Sequence, residues 1–121
     1  MGKSFRIERL NDAIKELISE LIHKRVKDPR IGFVTIMSVD VAADLTSAKV
    51  YYSVMGNDED KAATLQGLES ASGFFRRAIG KELKLRYSPE LRFTYDHSLD
   101  KAIAIDEKLK EIHEEEEKEE P

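Results

Sequence analysis

Residues 61–85, KAATLQGLESASGFFRRAIGKELKL, decide how the chain folds. Apolar residues at helical spacing predict one helix over residues 61–70 and a second over residues 74–85. Ala71 and Gly73 stand between the two patterns, and a glycine inside a helix costs about 1 kcal/mol relative to alanine. We therefore predict two consecutive helices with a kink at Ala71 and Gly73 rather than one long helix.

A longer helix is predicted before this segment. Its apolar stripe consists of Ile7, Leu10, Ile14, Leu17, Ile18, Leu21 and Ile22. The stripe predicts an amphipathic helix of roughly 22 residues with Ser4 as its N-cap. Pro29 ends the pattern, because proline disfavours helical geometry at the residue before it.

Three strand-like segments flank the helical pair, at residues 33–41, 48–55 and 91–95. The first two are close in sequence, which favours an antiparallel hairpin. Regular alternation in the first segment predicts that five side chains share one face, those of Phe33, Thr35, Met37, Val39 and Val41. One three-stranded sheet with helices on one face would bury every apolar stripe, so the predicted fold class is α+β.

The C-terminal part of the chain has a different composition. A last helix is predicted from Leu99, and it gives way to an acidic run over residues 114–120. Like charges build no core, so this run is predicted to be solvated and disordered. We therefore divide the chain into a domain of residues 1–97 and a C-terminal helix with an acidic tail over residues 98–121.

Charge is distributed unevenly between these parts. The formal net charge is −4, but residues 1–95 hold 16 Lys/Arg against 13 Asp/Glu, whereas residues 96–121 hold 4 against 11. A mildly basic body thus carries an acidic tail, and this asymmetry is compatible with nucleic-acid binding by the body.

Several classes of protein are disfavoured. The chain has no cysteine, no secretory hydrophobic segment and no apolar run of the roughly 18 residues that a membrane span needs, so we expect a cytoplasmic protein. His23, His97 and His113 stand in unrelated contexts and fit surface histidines better than ligands. The acids at residues 58–60 lack calcium-loop spacing, and Gly73 and Gly80 lack phosphate-loop spacing. We predict no catalytic residue, metal or cofactor.

Basic residues cluster after the kink. The cluster consists of Arg76, Arg77, Lys81, Lys84 and Arg86. On a continuous helix Arg77, Lys81 and Lys84 fall at i, i+4 and i+7 and share one face. That face is either an ordinary solvated surface or a stripe that contacts nucleic-acid phosphate, and the pattern alone leaves both interpretations open.

Three stretches of the sequence resemble the ribosome-binding factor A family. They are Val26-Lys27-Asp28-Pro29-Arg30-Ile31-Gly32, Asp44-Leu45-Thr46-Ser47-Ala48-Lys49-Val50-Tyr51-Tyr52-Ser53, and the segment from Ala71-Ser72-Gly73-Phe74-Phe75-Arg76 to Asp96-His97-Ser98. Their order and spacing make the resemblance specific over most of residues 5–112. It implies a type II KH-like fold in which a helix–kink–helix at Ala71 and Gly73 replaces the Gly-x-x-Gly loop of ordinary KH domains.

The resemblance also implies a function. Members of the family bind the free small (30S) ribosomal subunit, assist late maturation of the subunit and 5′-end processing of 16S rRNA, and matter for growth in the cold. A ribosome-associated GTPase releases them. For this chain we expect a monomer that acts without catalysis. The expected rRNA-contacting residues are Arg6, Arg9, Arg76, Arg77, Lys81, Lys84 and Arg86.

The alternative is a protein-interaction module that binds no RNA. In that case the first helix or the acidic tail would dock a partner protein. The basic segment after Gly73 favours RNA binding, whereas the net negative charge favours the alternative.

Overall fold

Four helices and three strands follow one another in the part of the chain that this computed structural model describes, residues 2–24 and 26–119. In chain order they are α1 (Gly2–Lys24), β1 (Val34–Val41), β2 (Ser47–Val54), α2 (Asp58–Ser70), α3 (Ser72–Glu82), β3 (Glu90–Tyr95) and α4 (Ser98–Glu119). This order confirms the predicted α+β class. Helix α1 begins at Gly2, so Ser4 lies inside the helix and is not the predicted N-cap.

The sheet has the strand order β1-β2-β3. Strands β1 and β2 pair antiparallel, which confirms the predicted hairpin, and β2 and β3 pair parallel. A parallel connection needs a crossover, and the crossover here is formed by α2 and α3. Helices α1, α2 and α3 all contact strands of the sheet, and the sheet residues that face the core lie on one side of it.

Strand β1 departs from the predicted alternation. Its buried residues are Val34 and Ile36 before Met37, and Val39 and Val41 after it. A β-bulge between Ile36 and Ser38 shifts the pairing with β2 by one residue at this point. The extra residue turns the following side chains of β1 to the opposite face of the sheet. The prediction that five side chains of this segment share one face is therefore wrong.

The core lies between the sheet and the helices. Its largest fully buried side chains include Ile14 and Ile18 of α1, Leu68 of α2, and Phe75 and Ile79 of α3. The Phe75 ring also lies 6.1 Å from the ring of Phe93, between centroids. Removing a side chain of this size from water stabilises the fold by about 1.5–3 kcal/mol, so α3 is held firmly in place.

The kink separates α2 from α3 at a single residue. Ala71 stays near helical geometry, with φ −86° and ψ −1°, and its N–H donates to Gly67 O. One turn earlier, α2 lies against the loop before β1. A Cβ on Gly67 would stand 2.6 Å from Ile31 Cγ1, and Thr64 Oγ1 donates to Arg30 O at 3.3 Å. The kink redirects the chain so that α3 can bury its own apolar face.

The opposite end of α2 is fixed by a capping box. Asn57 Oδ1 accepts from Asp60 N, and Asp60 Oδ2 accepts from Asn57 N, both at 2.9 Å. Two free backbone donors at the helix start are satisfied in this way. The acids at residues 58–60 therefore form the first turn of α2, where Asp60 takes part in the cap.

Helix α4 extends away from this core. All of its described side chains from residue 102 to residue 115 are exposed. The helix continues through Glu119, further than the sequence predicts for an acidic run. Glutamate is a good helix former, and an ion pair between Lys110 Nζ and Asp106 Oδ2 at 3.5 Å supports the preceding turns. Residues 120 and 121 of the predicted disordered tail lie outside the described residues.

Candidate nucleic-acid interface

A cleft of about 470 Å³ opens beside α3. Four cationic side chains line it, those of Arg76, Arg77, Lys81 and Arg86. All four are exposed, and no carboxylate is among the described residues that line the cleft. Uncompensated charges of one sign repel each other, and a bound polyanion would relieve that repulsion. We call this cleft the basic cleft.

The fold positions these cations from two segments. Arg76, Arg77 and Lys81 lie on α3, whose opposite face is buried through Phe75 and Ile79. Arg86 lies in the loop between α3 and β3, and its guanidinium Cζ is 5.5 Å from the Tyr87 ring centroid. The buried face of α3 fixes the rotation of the helix about its axis. Its exposed cations are therefore all held on the side of the helix that lines the basic cleft.

Arg76 also joins the helix to the loop that closes the basic cleft. Its Nη2 donates a hydrogen bond to Ser88 O at 3.3 Å. This contact holds residues 86–88 against α3. Arg76 is thus partly engaged within the protein. Arg77 and Lys81 form no side-chain hydrogen bond or ion pair with the described residues, so they are better placed to contact an anion.

Lys84 is not where the sequence places it. Helix α3 ends at Glu82, and Lys84 adopts a left-handed conformation with φ 53°. Leu85 N donates to Gly80 O at 3.0 Å, the six-to-one hydrogen bond of a Schellman motif. The chain therefore turns away before Lys84 can share a face with Arg77 and Lys81. Lys84 does not line the basic cleft, and Arg86 does.

A second hollow, of about 400 Å³, adjoins the basic cleft. Its lining consists of Arg6, Ile7, Leu10, Ala43, Leu45 and Leu85. Leu85 lines both hollows, so Arg6 of α1 is brought to the edge of the cationic region. We call this second hollow the apolar groove. Arg9 is exposed on the same helix but lines neither hollow.

The kink residues lie at the other end of the basic cleft. Gly73 is exposed in the first turn of α3 and lines the cleft. A Cβ there would stand 3.5 Å from Arg77 Nη1, an ordinary contact, so no packing requires glycine at this position. The structure thus brings Gly73 together with Arg76, Arg77 and Lys81, as the sequence predicts.

The apolar groove is the part of the site that sequence reasoning missed. Leu45 sits in the β1–β2 turn in a left-handed conformation, φ 64°, and is about half exposed. Leu85 is the residue that follows the left-handed Lys84. A leucine in a polar turn is a weak signal of an exposed apolar surface, and only the fold shows that two such leucines meet.

No group of three or more His, Asp or Glu side chains among the described residues could hold a metal ion. Within the same residues, no helix is long and apolar enough to cross a bilayer.

A three-stranded sheet with helices on one face, a kink in place of a glycine loop and cations beside that kink define a class. The protein is a type II KH-like domain. A family model described as ribosome-binding factor A matches residues 6–109. The chain therefore belongs to the ribosome-binding factor A family.

Individual relatives agree with this assignment. The chain is 53% identical over 107 residues to ribosome-binding factor A of Geobacter sulfurreducens, covering 88% of this chain and 91% of the relative. It is 45% identical over 115 residues to ribosome-binding factor A of Halothermothrix orenii, covering 95% and 94%.

A solved structure supports the fold. The solution NMR structure of a Thermotoga maritima protein assigned to ribosome-binding factor A is 36% identical, with a TM-score of 0.69, and the match covers 75% of this chain and 87% of that one. A Thermus thermophilus ribosome-binding factor A homology model, fitted into a cryo-EM map of a 30S complex, is 23% identical with a TM-score of 0.59, over 72% and 91% of the two chains. At that identity the second likeness bears on the fold alone.

Proposed function

We propose that this chain binds the free small ribosomal subunit and contacts 16S rRNA through the basic cleft. The observation that carries the proposal is the set of four exposed cations with no carboxylate among the cleft's described lining residues. Membership of a family named for ribosome binding gives the class of target, and the Thermus thermophilus relative has been placed in a 30S complex.

The chemistry of such contacts is electrostatic. Arg and Lys side chains that neutralise phosphates release condensed counterions, and this release drives binding. Phosphate contacts position a protein but read no sequence, so the shape of the assembled subunit supplies the specificity. We propose Arg77 and Lys81 as the main contacts, with Arg76 and Arg86 beside them and Arg6 and Arg9 extending the surface along α1.

The cellular role follows from the family. We propose that the chain assists late maturation of the small subunit and 5′-end processing of 16S rRNA by binding, without catalysing a reaction. It acts as a cytoplasmic monomer, supports growth in the cold, and is released by a ribosome-associated GTPase. Residues 1–97 form the RNA-binding domain and residues 98–121 are an appendage to it.

The alternative is a protein-interaction module that docks a partner through the first helix or the acidic tail, and the structure of α1 disfavours its first-helix form. The apolar stripe of α1 is buried against the sheet through Ile14, Ile18, Leu21 and Ile22. That stripe belongs to the core and offers little apolar surface to a partner protein.

Co-sedimentation tests the proposal. Purified protein is mixed with small subunits, large subunits and whole ribosomes at low and moderate salt, and the pelleted fraction is measured. We expect selective pelleting with free small subunits. The variant Arg77→Ala/Lys81→Ala, checked for folding by circular dichroism, should pellet less. Equal pelleting with all three particles, or none with small subunits, would refute the proposed target.

A further inference from the structure

Helix α4 carries an apolar stripe that none of the described residues covers. Ile105, Leu109 and Ile112 are 61%, 58% and 46% exposed, and their i, i+4, i+7 spacing places them on one face of the helix. Asp106 flanks that stripe on one side and Lys108 and Glu115 flank it on the other, and the helix as a whole is acidic, with nine Asp/Glu against four Lys over residues 98–119. An acidic amphipathic helix of this kind matches a surface that is apolar in the middle and cationic at its edge.

A surface with those properties lies among the described residues of the domain. The apolar groove is lined by five apolar residues and one cation, Arg6, and it continues through Leu85 into the basic cleft. Leucine and isoleucine side chains of α4 would bury their surface in the groove. The net negative charge of α4 would then lie beside the cations of the basic cleft.

The reach of α4 fits this surface. Tyr95, three residues before α4, pairs with Tyr52 at one end of β2, whereas Leu45 lies just beyond Ser47 at the other end. The five residue steps from Tyr52 to Ser47 span about 17 Å at the rise of a strand. The eleven residue steps from Ser98 to Leu109 span about 17 Å at the rise of a helix. A bend at residues 96–97 would therefore bring Leu109 and Ile112 to the groove.

We infer that α4 folds back over the apolar groove and the basic cleft as an acidic strap, and that RNA phosphate displaces it. The competition with RNA rests on the proposed function; the closed strap itself does not. A tethered helix has an effective concentration in the millimolar range, which favours the helix of the same chain over that of a second copy. If the strap is closed in about half of the molecules, the apparent Kd for RNA rises about twofold.

Paramagnetic relaxation in the full chain tests the strap. The protein has no cysteine, so Lys108→Cys accepts a single nitroxide label on an exposed position of α4. We expect broadening of the Leu45 and Leu85 amide signals at low salt. Adding Ile112→Ser should abolish the broadening. Ile103→Ser is the matched control, because Ile103 is 51% exposed on the opposite side of α4 and should leave the broadening unchanged.

Two further measurements separate the outcomes. Mixing labelled chains with isotope-labelled unmodified chains should give no broadening, and broadening there would assign the contact to a second copy and overturn the strap.

A short double-stranded RNA should remove the intramolecular broadening, and Ile112→Ser should tighten RNA binding about twofold. No broadening at Leu45 and Leu85 refutes the strap. Broadening that persists when the RNA is saturating refutes the competition, and failure of the RNA to bind would instead refute the proposed function.

Discussion

Helices α3 and α4 are both amphipathic and highly charged, yet they have opposite roles in the molecule. Phe75 and Ile79 of α3 are fully buried, and the cations on its other face line the basic cleft. The described side chains of α4 are all exposed, and its charge is mainly acidic. An apolar stripe thus indicates that a helix is able to bury one face. Whether the helix does so depends on where the neighbouring strands place it. Helix α3 lies in the crossover between β2 and β3, so both of its ends are tied to strands and it packs on the sheet. Helix α4 follows the last strand and is tied to the sheet at its first end.

The largest expected difference between the two helices is in stability. Phe75→Ala removes a fully buried ring and leaves a cavity, so it should lower the free energy of unfolding by about 3–5 kcal/mol. Ile112→Ala on α4 should change it by no more than about 0.5 kcal/mol. Urea denaturation measures both variants, and similar losses would show that α4 packs on the body as firmly as α3.

Gly67 of α2 and Gly73 of α3 allow the difference between a packed and an open position to be tested at single contacts. A methyl group at Gly67 would overlap Ile31, so Gly67→Ala should cost about 1–3 kcal/mol despite its better helix propensity. Gly73→Ala meets only ordinary contacts and should stabilise α3 by up to about 1 kcal/mol. Thermal unfolding of both variants checks the signs, and a stabilised Gly67→Ala would contradict the close packing of α2 against Ile31.

Lys84 tests where α3 ends. The left-handed conformation of this residue costs a non-glycine side chain about 1–2 kcal/mol. Lys84→Gly relieves this cost and should raise the free energy of unfolding by about 0.5–1 kcal/mol. The net gain is smaller than the relieved cost, because glycine loses more entropy on folding. It should also leave small-subunit binding unchanged, because Lys84 does not line the basic cleft. A destabilised variant, or one that binds as weakly as Lys81→Ala, would contradict this position of Lys84. It would indicate that Lys84 shares the helix face of Arg77 and Lys81, as the sequence predicts.

The smallest expected effect is that of the acidic end of α4. Glu114 and Glu115 are exposed, and deleting residues 114–121 should shift the Tm by less than about 2 °C. A drop of several degrees in a thermal melt would mean that this segment packs on the domain.

The sequence was sufficient for those features that depend on local pattern. The element order, the hairpin and the break at Ala71 were all predicted, because periodicity and breakers act over a few residues. Gly73 lies in the first turn of α3 and not in the break itself. The bulge at Met37 was not, since one inserted residue leaves the composition of a strand unchanged. The clustering of Arg76, Arg77 and Lys81 followed from helical spacing. The left-handed turn at Lys84 and the meeting of Leu45 with Leu85 depend on contacts between distant segments, and no local pattern encodes them.

The central claim is that the cations of α3, rather than basic residues in general, contact rRNA phosphate. A matched control exists on the outer face of the sheet, where Lys49 and Arg92 are exposed register partners on β2 and β3. Both Arg77→Ala/Lys81→Ala and Lys49→Ala/Arg92→Ala remove two positive charges, and each is measured for binding to purified small subunits across a salt series.

The account predicts that the α3 variant reduces the slope of log affinity against log salt by about 1.4–1.8, the contribution of two phosphate contacts, while the sheet variant keeps the wild-type slope. Equal losses in the two variants, or a wild-type slope in the folded α3 variant, would contradict it.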